Sequence, residues 1–228
     1  MRAAAIGEPV CEECRDFVPH FHPERLEKLL QRGYSRERQV WFIDSMSDLW
    51  GEGVAAAWRK CIWAEIRYAE FGGSNRVYVA LTKWPGSISR EEVMELPWPS
   101  ELDFERRQVG YRCEPMWPQH LWIGVSAGTQ RECMMRWDEL CDEVPAGRRI
   151  LSLEPLAGWV TLVEPKPDWL IIGPETPVKR HAMRPCWAEL QDMLREAREE
   201  GVSVWMKTAC EKAWPGIELV QERPETMR

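Results

Sequence analysis

Six short apolar runs punctuate the 228-residue chain, and each gives way abruptly to charged, hydroxyl-bearing or glycine residues. They cover residues 40–44, 77–82 ("VYVALT"), 121–126 ("LWIGVS"), 150–154 ("ILSLE"), 169–173 ("WLIIG") and 202–207 ("VSVWMK"). Runs this short and this apolar predict strands buried on both faces, the environment of a parallel sheet covered by helices. Helical patterns fill the intervals. Residues 23–31 set Leu26, Leu29 and Leu30 on one face behind Pro23, and residues 52–71 carry an apolar stripe through Val54, Trp58, Ile62 and Ile66. Residues 129–144 open with Thr129 and Glu132 at capping-box spacing, and the amphipathic stretch 185–200 stops at Gly201. Strands alternating with helices make a parallel α/β barrel or sheet.

In such a fold every strand runs the same way, so the C-terminal ends share one face, and ligands bind there. The residues at those ends are Asp44, Ser45, Ser47 and Asp48 after the first run, then Thr82 and Lys83, Ser126, Glu154, Glu175 beyond Gly173, and Lys207. Polar residues also end strands simply because loops are solvated. Solvation alone does not require a Glu inside "SLEPL" or a Lys inside "VWMK", each tight against apolar neighbours. A Lys and a Glu drawn together there serve as acid, base or substrate clamp, or else as a plain structural ion pair.

Composition narrows the class. A formal net charge of -7 disfavours a basic surface that coats nucleic acid. The 14 Trp are read as packing residues rather than stacking platforms. No apolar run approaches the length of about 18 residues needed to span a bilayer. The opening "MRAAAIGEPV" lacks the apolar core of an export signal, so the eight Cys are expected as reduced thiols or metal ligands in a cytoplasmic protein.

Residues 1–22 read as a connector containing Cys11 and Cys14. With His20 and His22 they make a C-x2-C pair followed by two His, a set able to close a tetrahedral zinc site or to stand as plain thiols in a connector. Residues 23–216 form the main domain, and 217–228 a C-terminal tail. The five prolines between 85 and 119 mark an insertion or lid, with a short helix near 90–94. Cys133 and Cys141 fall on a predicted helix as packing residues.

Seven segments recur in a familiar order: "FHPERL", "FIDSMSDLW", "ALTKWPG", "LWIGVS" followed by Gln130, "LSLEPL", "DWLIIGPET" and "VWMK" with a later "WPG". In that order the chain resembles the phage gene-product-thirty-seven/sixty-eight family, which is similar to radical S-adenosylmethionine (SAM) enzymes. The likeness runs from about Phe17 to Gly216. It implies a partial parallel (β/α) barrel of the radical SAM type with about six visible strands, the first βα unit and its three-Cys segment being absent from this chain. It further implies a [4Fe–4S] cluster, SAM across the strand ends, reductive SAM cleavage, and radical modification of an unknown substrate, nucleic-acid-related or otherwise.

Carried onto this sequence, Asp44, Ser45, Ser47, Asp48, Thr82, Ser126 and Glu175 would hold the cofactor. Lys83, Glu154 and Lys207 would carry the chemistry, and Cys11 and Cys14 remain as metal ligands. Pro174 and Pro177 depart from the family's Gly-rich loop and remove N–H donors there. Two other readings stand beside this one. The chain is a cluster-less barrel that binds a ligand or partner without catalysis, or a hydrolase pairing the carboxylates of Glu154 and Glu175.

Overall fold

The structure is a computed structural model that describes residues 13, 16, 18–23, 25–26, 38–43, 47–94, 116–177 and 183–227. Six strands form one sheet in chain order: β1 Gln39–Phe42, β2 Arg76–Thr82, β3 Leu121–Ala127, β4 Arg149–Leu153, β5 Trp169–Ile172 and β6 Ser203–Met206. Every neighbouring pair is parallel. Adding each strand beside the last through a crossover of one hand puts the connections on one face, and the sheet curls about the other into a half-barrel.

The main helices are α1 Ala56–Phe71, α2 Arg90–Met94, α3 Gln130–Glu143, α4 Trp187–Glu199 and the short α5 Cys210–Ala213. The N-cap expected at Thr129 is formed, its hydroxyl accepting from Glu132 N–H at 3.4 Å, while the Glu132 carboxylate takes the N–H of Gly128 rather than that of Thr129. The helix expected over 52–71 starts later, at Ala56, because residues 49–53 are turns, with the Gly51 and Val54 N–H groups bonded back into them. Of the helix expected over 23–31, residues 23, 25 and 26 are helical and the rest lies outside the described residues. The short helix in the Pro-rich insertion is present as α2, and the middle of the insertion also lies outside.

The two faces of the sheet build two cores. Outward residues such as Tyr78, Ile123, Leu151 and Leu170 pack with Trp63 and Ile66 of α1, Trp137 of α3 and Leu190 of α4. Alternate residues point inward, where Val77, Val79, Trp122, Ile150, Trp169 and Ile171 form a smaller cluster around Met227. Gly124 allows this inner layer to close, since a Cβ there would lie 2.5 Å from both the Cβ and the carbonyl oxygen of Ile150. Trp is used mainly as packing. Trp63, Trp137, Trp169 and Trp214 are buried, and each indole N–H donates to a carboxylate or carbonyl.

The segment expected as a tail is part of the barrel. Gln221 bridges antiparallel to Trp205 along β6, Glu222 N–H bonds Val204 O at 2.7 Å, and Met227 is fully buried in the inner cluster. At the far side of the sheet, Arg38 donates to Thr226 O at 2.6 Å, so the segment crosses from β6 to the start of β1. Apolar residues at 219, 220 and 227 supply the burial that a solvated tail would lack. Among the described residues, no helix is long and apolar enough to cross a membrane.

Candidate functional site

The C-terminal ends of the strands carry two separate polar groups. At the first, Asp48 accepts from Thr82 Oγ1 at 2.7 Å, from Lys83 N–H at 2.8 Å and from Trp50 N–H at 3.1 Å. Thr82 is buried, and its hydroxyl also accepts from Trp84 N–H at 2.9 Å. The carboxylate therefore clamps the loop after β1 to the end of β2, and both its oxygens already serve backbone or hydroxyl donors. Lys83 contributes its backbone to this clamp and leaves its side chain exposed.

The second group is built across β4, β5 and β6. Glu154 N–H bonds Ala127 O at 3.1 Å, Gly173 N–H bonds Leu153 O at 3.1 Å and Lys207 N–H bonds Ile172 O at 2.9 Å. These bonds carry the ladder one residue past each strand, so the three positions stand side by side. Glu154 and Lys207 reach over the middle strand and meet at 2.6 Å between Oε2 and Nζ. Gly173 makes that possible: a Cβ there would stand 2.8 Å from Glu154 Oε1.

The other carboxylate oxygen, Glu154 Oε1, is buried and has no hydrogen-bond partner among the described residues. Two residues below on the same face of β4, Ser152 is fully buried with its Oγ equally unpartnered. Ser126 pairs with Ser152 in register, placing a second hydroxyl-bearing residue on the adjacent strand. Buried polar groups without partners cost about 1–3 kcal/mol each and mark places where a ligand or water belongs. The ion pair itself does little for stability. Lys207 is 52% exposed, and pairs open to solvent contribute about 0–1 kcal/mol.

Of the residues singled out from the sequence, the structure joins Asp48, Thr82 and the Lys83 backbone in one group and Glu154 with Lys207 in another. No hydrogen bond or ion pair among the described residues connects the two. Ser47 is exposed and Glu175 is half-buried on the loop after β5; Asp44, Ser45, Cys11 and Cys14 lie outside the described residues. Sequence reasoning overlooked Ser152 and the role of Gly173. Ser152 was findable as a hydroxyl inside "ILSL", two residues before Glu154 and so on the same face.

The described thiols do not form a ligand set. Burial pushes Cys133 and Cys210 up to about 12, which keeps both protonated at neutral pH. Cys61 is exposed on α1 and Cys186 is exposed at the N-cap of α4. Among the described residues no three His, Cys, Asp or Glu side chains converge as metal ligands. A [4Fe–4S] cluster needs three thiolates, so these residues do not fit one.

The molecule is thus a parallel β/α half-barrel whose strand ends present an acid–base ion pair above buried, unsatisfied hydroxyl and carboxylate oxygens. Residues 5–223 match the family described as "Protein of unknown function (DUF5131)", and the chain belongs to that family. No curated protein and no solved structure matches it.

Proposed function

We propose that the mouth around Glu154 and Lys207 binds a small ligand bearing an α-amino acid group, and that the ligand is SAM. The observation that carries this reading is the half-used carboxylate: Oε2 holds Lys207 while the buried Oε1 awaits a donor. A ligand ammonium supplies that donor. The ligand carboxylate accepts from Lys207 Nζ, whose half-exposed position leaves its remaining N–H bonds open to the mouth. Ser126 and Ser152 line the floor on the same face and suit further hydroxyl or ether groups. Because the Glu–Lys pair forms before the ligand arrives, the charges are already oriented, and little ordering is needed on binding.

The order of the seven sequence segments supports SAM over other amino-acid-bearing ligands and favours a radical-SAM-like protein of phage or mobile-element type acting in the cytoplasm on a nucleic-acid-related substrate. SAM brings the sulfonium chemistry when bound. The contribution of this chain's own residues is to clamp the amino acid end and shield it within the curled sheet. The alternative is a cluster-less barrel that binds its ligand without catalysis.

Calorimetric titration of SAM into the purified chain and its Glu154→Gln and Lys207→Met variants tests the reading. Each charge-assisted bond contributes about 1.5–3 kcal/mol, so affinity should fall about ten- to hundred-fold in either variant. A wild-type chain indifferent to SAM, or variants that bind as tightly, would sink it. Anaerobic reconstitution with iron and sulfide separates the two forms: a brown protein that cleaves SAM is the enzyme, and a colourless one that only binds SAM is the cluster-less barrel.

A further inference from the structure

We propose that His20 and His22 form a site for a divalent transition-metal ion, separate from the mouth and independent of what the mouth binds. The residue between them is anchored. Phe21 stacks on Trp58 of α1, with ring centroids 6.0 Å apart and planes 7° from parallel, and packs against the outer core. His20 and His22 flank it in sequence. Their two Nε2 atoms converge to 2.7 Å, with ring centroids 4.5 Å apart.

The far side of His20 is arranged as metal-bound histidines are. Its Nδ1 lies 2.7 Å from Val18 O, which accepts the Nδ1 proton, while its Nε2 faces His22. Without metal, one of the two Nε2 atoms donates a hydrogen to the other. Metal entry displaces the hydrogen shared between the two Nε2 atoms, since each must turn a lone pair to the ion. Tetrahedral coordination at about 2.0–2.1 Å sets the two nitrogens about 3.3 Å apart, so the rings open by well under 1 Å.

Neutral imidazole suits Zn²⁺, Co²⁺, Ni²⁺ and Cu²⁺ and is a poor ligand for Mg²⁺ or Ca²⁺. Two nitrogens leave two tetrahedral positions for water or other ligands. The chain carries two soft candidates shortly upstream, Cys11 and Cys14. Just before the His pair, Val18 N–H bonds Glu13 O at 2.9 Å. A His–His hydrogen bond serving structure alone is the competing account, and it predicts no metal affinity.

The test is Co²⁺ titration of the full chain, stripped with chelator under reducing conditions. One Co²⁺ per chain with visible bands of tetrahedral intensity, displaced by Zn²⁺, is expected. His20→Ala and His22→Ala should each weaken binding at least about ten-fold, the order expected for one lost ligand bond. Near-ultraviolet thiolate-to-cobalt bands that vanish in Cys11→Ser or Cys14→Ser would assign the remaining positions to sulfur, and their absence would assign them to water. X-ray absorption of the Zn²⁺-loaded wild type keeps the test independent of variant folding, since two imidazole scatterers are expected. A wild type that takes up no Co²⁺, a spectrum without imidazole scattering, or a folded double variant that binds as well as wild type overturns the proposal.

Discussion

Glu154 sits where three constraints meet: a partner across the sheet, a glycine beneath it and a buried oxygen with nothing to accept from. The glycine is the least obvious of the three. Gly173 takes ordinary backbone angles, and its value is the missing Cβ, which would lie 2.8 Å from Glu154 Oε1 and 3.1 Å from Cγ and Cδ. Gly173→Ala should therefore push the carboxylate aside while the flexible side chain spares the backbone. We expect a stability loss of about 1–3 kcal/mol by chemical denaturation. SAM affinity should fall together with the Glu154–Lys207 bond, about as far as in Glu154→Gln. An alanine variant that binds SAM normally would show that the pair is not the clamp. The Asp48 clamp behaves differently at the same scale, because its oxygens are spent on Thr82, Lys83 and Trp50. Its loss should be felt in the loop after β1 more than in ligand affinity.

At the scale of elements, the helices are held at their ends as well as by their faces. Thr129 caps α3, and Glu132 returns the favour by accepting from Gly128 N–H at 2.8 Å. That bond holds the Glu132 carboxyl below its usual range. Glu139 and Glu143, further along α3, accept from Gly86 and Arg90 N–H and so fasten the segment between β2 and α2 to this helix. A second tie joins α1 to α2, where Arg59 donates to both oxygens of Glu92 at 2.8 Å and Trp63 adds a third bond. Thr129→Ala removes one cap and should cost about 1 kcal/mol. The measurement is a denaturation midpoint with unchanged slope. A loss near zero would mean that Glu132 and packing alone hold the first turn.

For the whole molecule, the C-terminal segment decides whether a six-stranded curl is a closed object. Residues 221–227 pair with β6, pass the foot of the inner face and reach Arg38 beside β1. Met227 fills the inner cluster near the N-terminal ends of β2 to β5, opposite the mouth. Met227→Ala should lower stability by about 2–5 kcal/mol, the range for emptying a buried Met site. If the segment were a loose appendage, the change would be close to zero.

The positions of the six strands, their shared direction and the capping of α3 were legible in the sequence. Alternation with period 2, runs of apolar residues and cap residues are local signals, written within a few neighbours. The crowding of Glu154 and Lys207 at strand ends was legible too, as a common face. That these two meet over Gly173, that Asp48 spends itself on a loop and that Ser152 lies buried below the mouth followed only from strand order and register, which relate residues tens of positions apart. The same holds for the C-terminal segment, whose few apolar residues carry no sign of the cavity they fill, and for the histidine pair on either side of Phe21, which stacks on Trp58. Sequence patterning determined which elements exist and which way they face; the tertiary structure decided which side chains meet, because contacts between strands depend on neighbours the local pattern does not name.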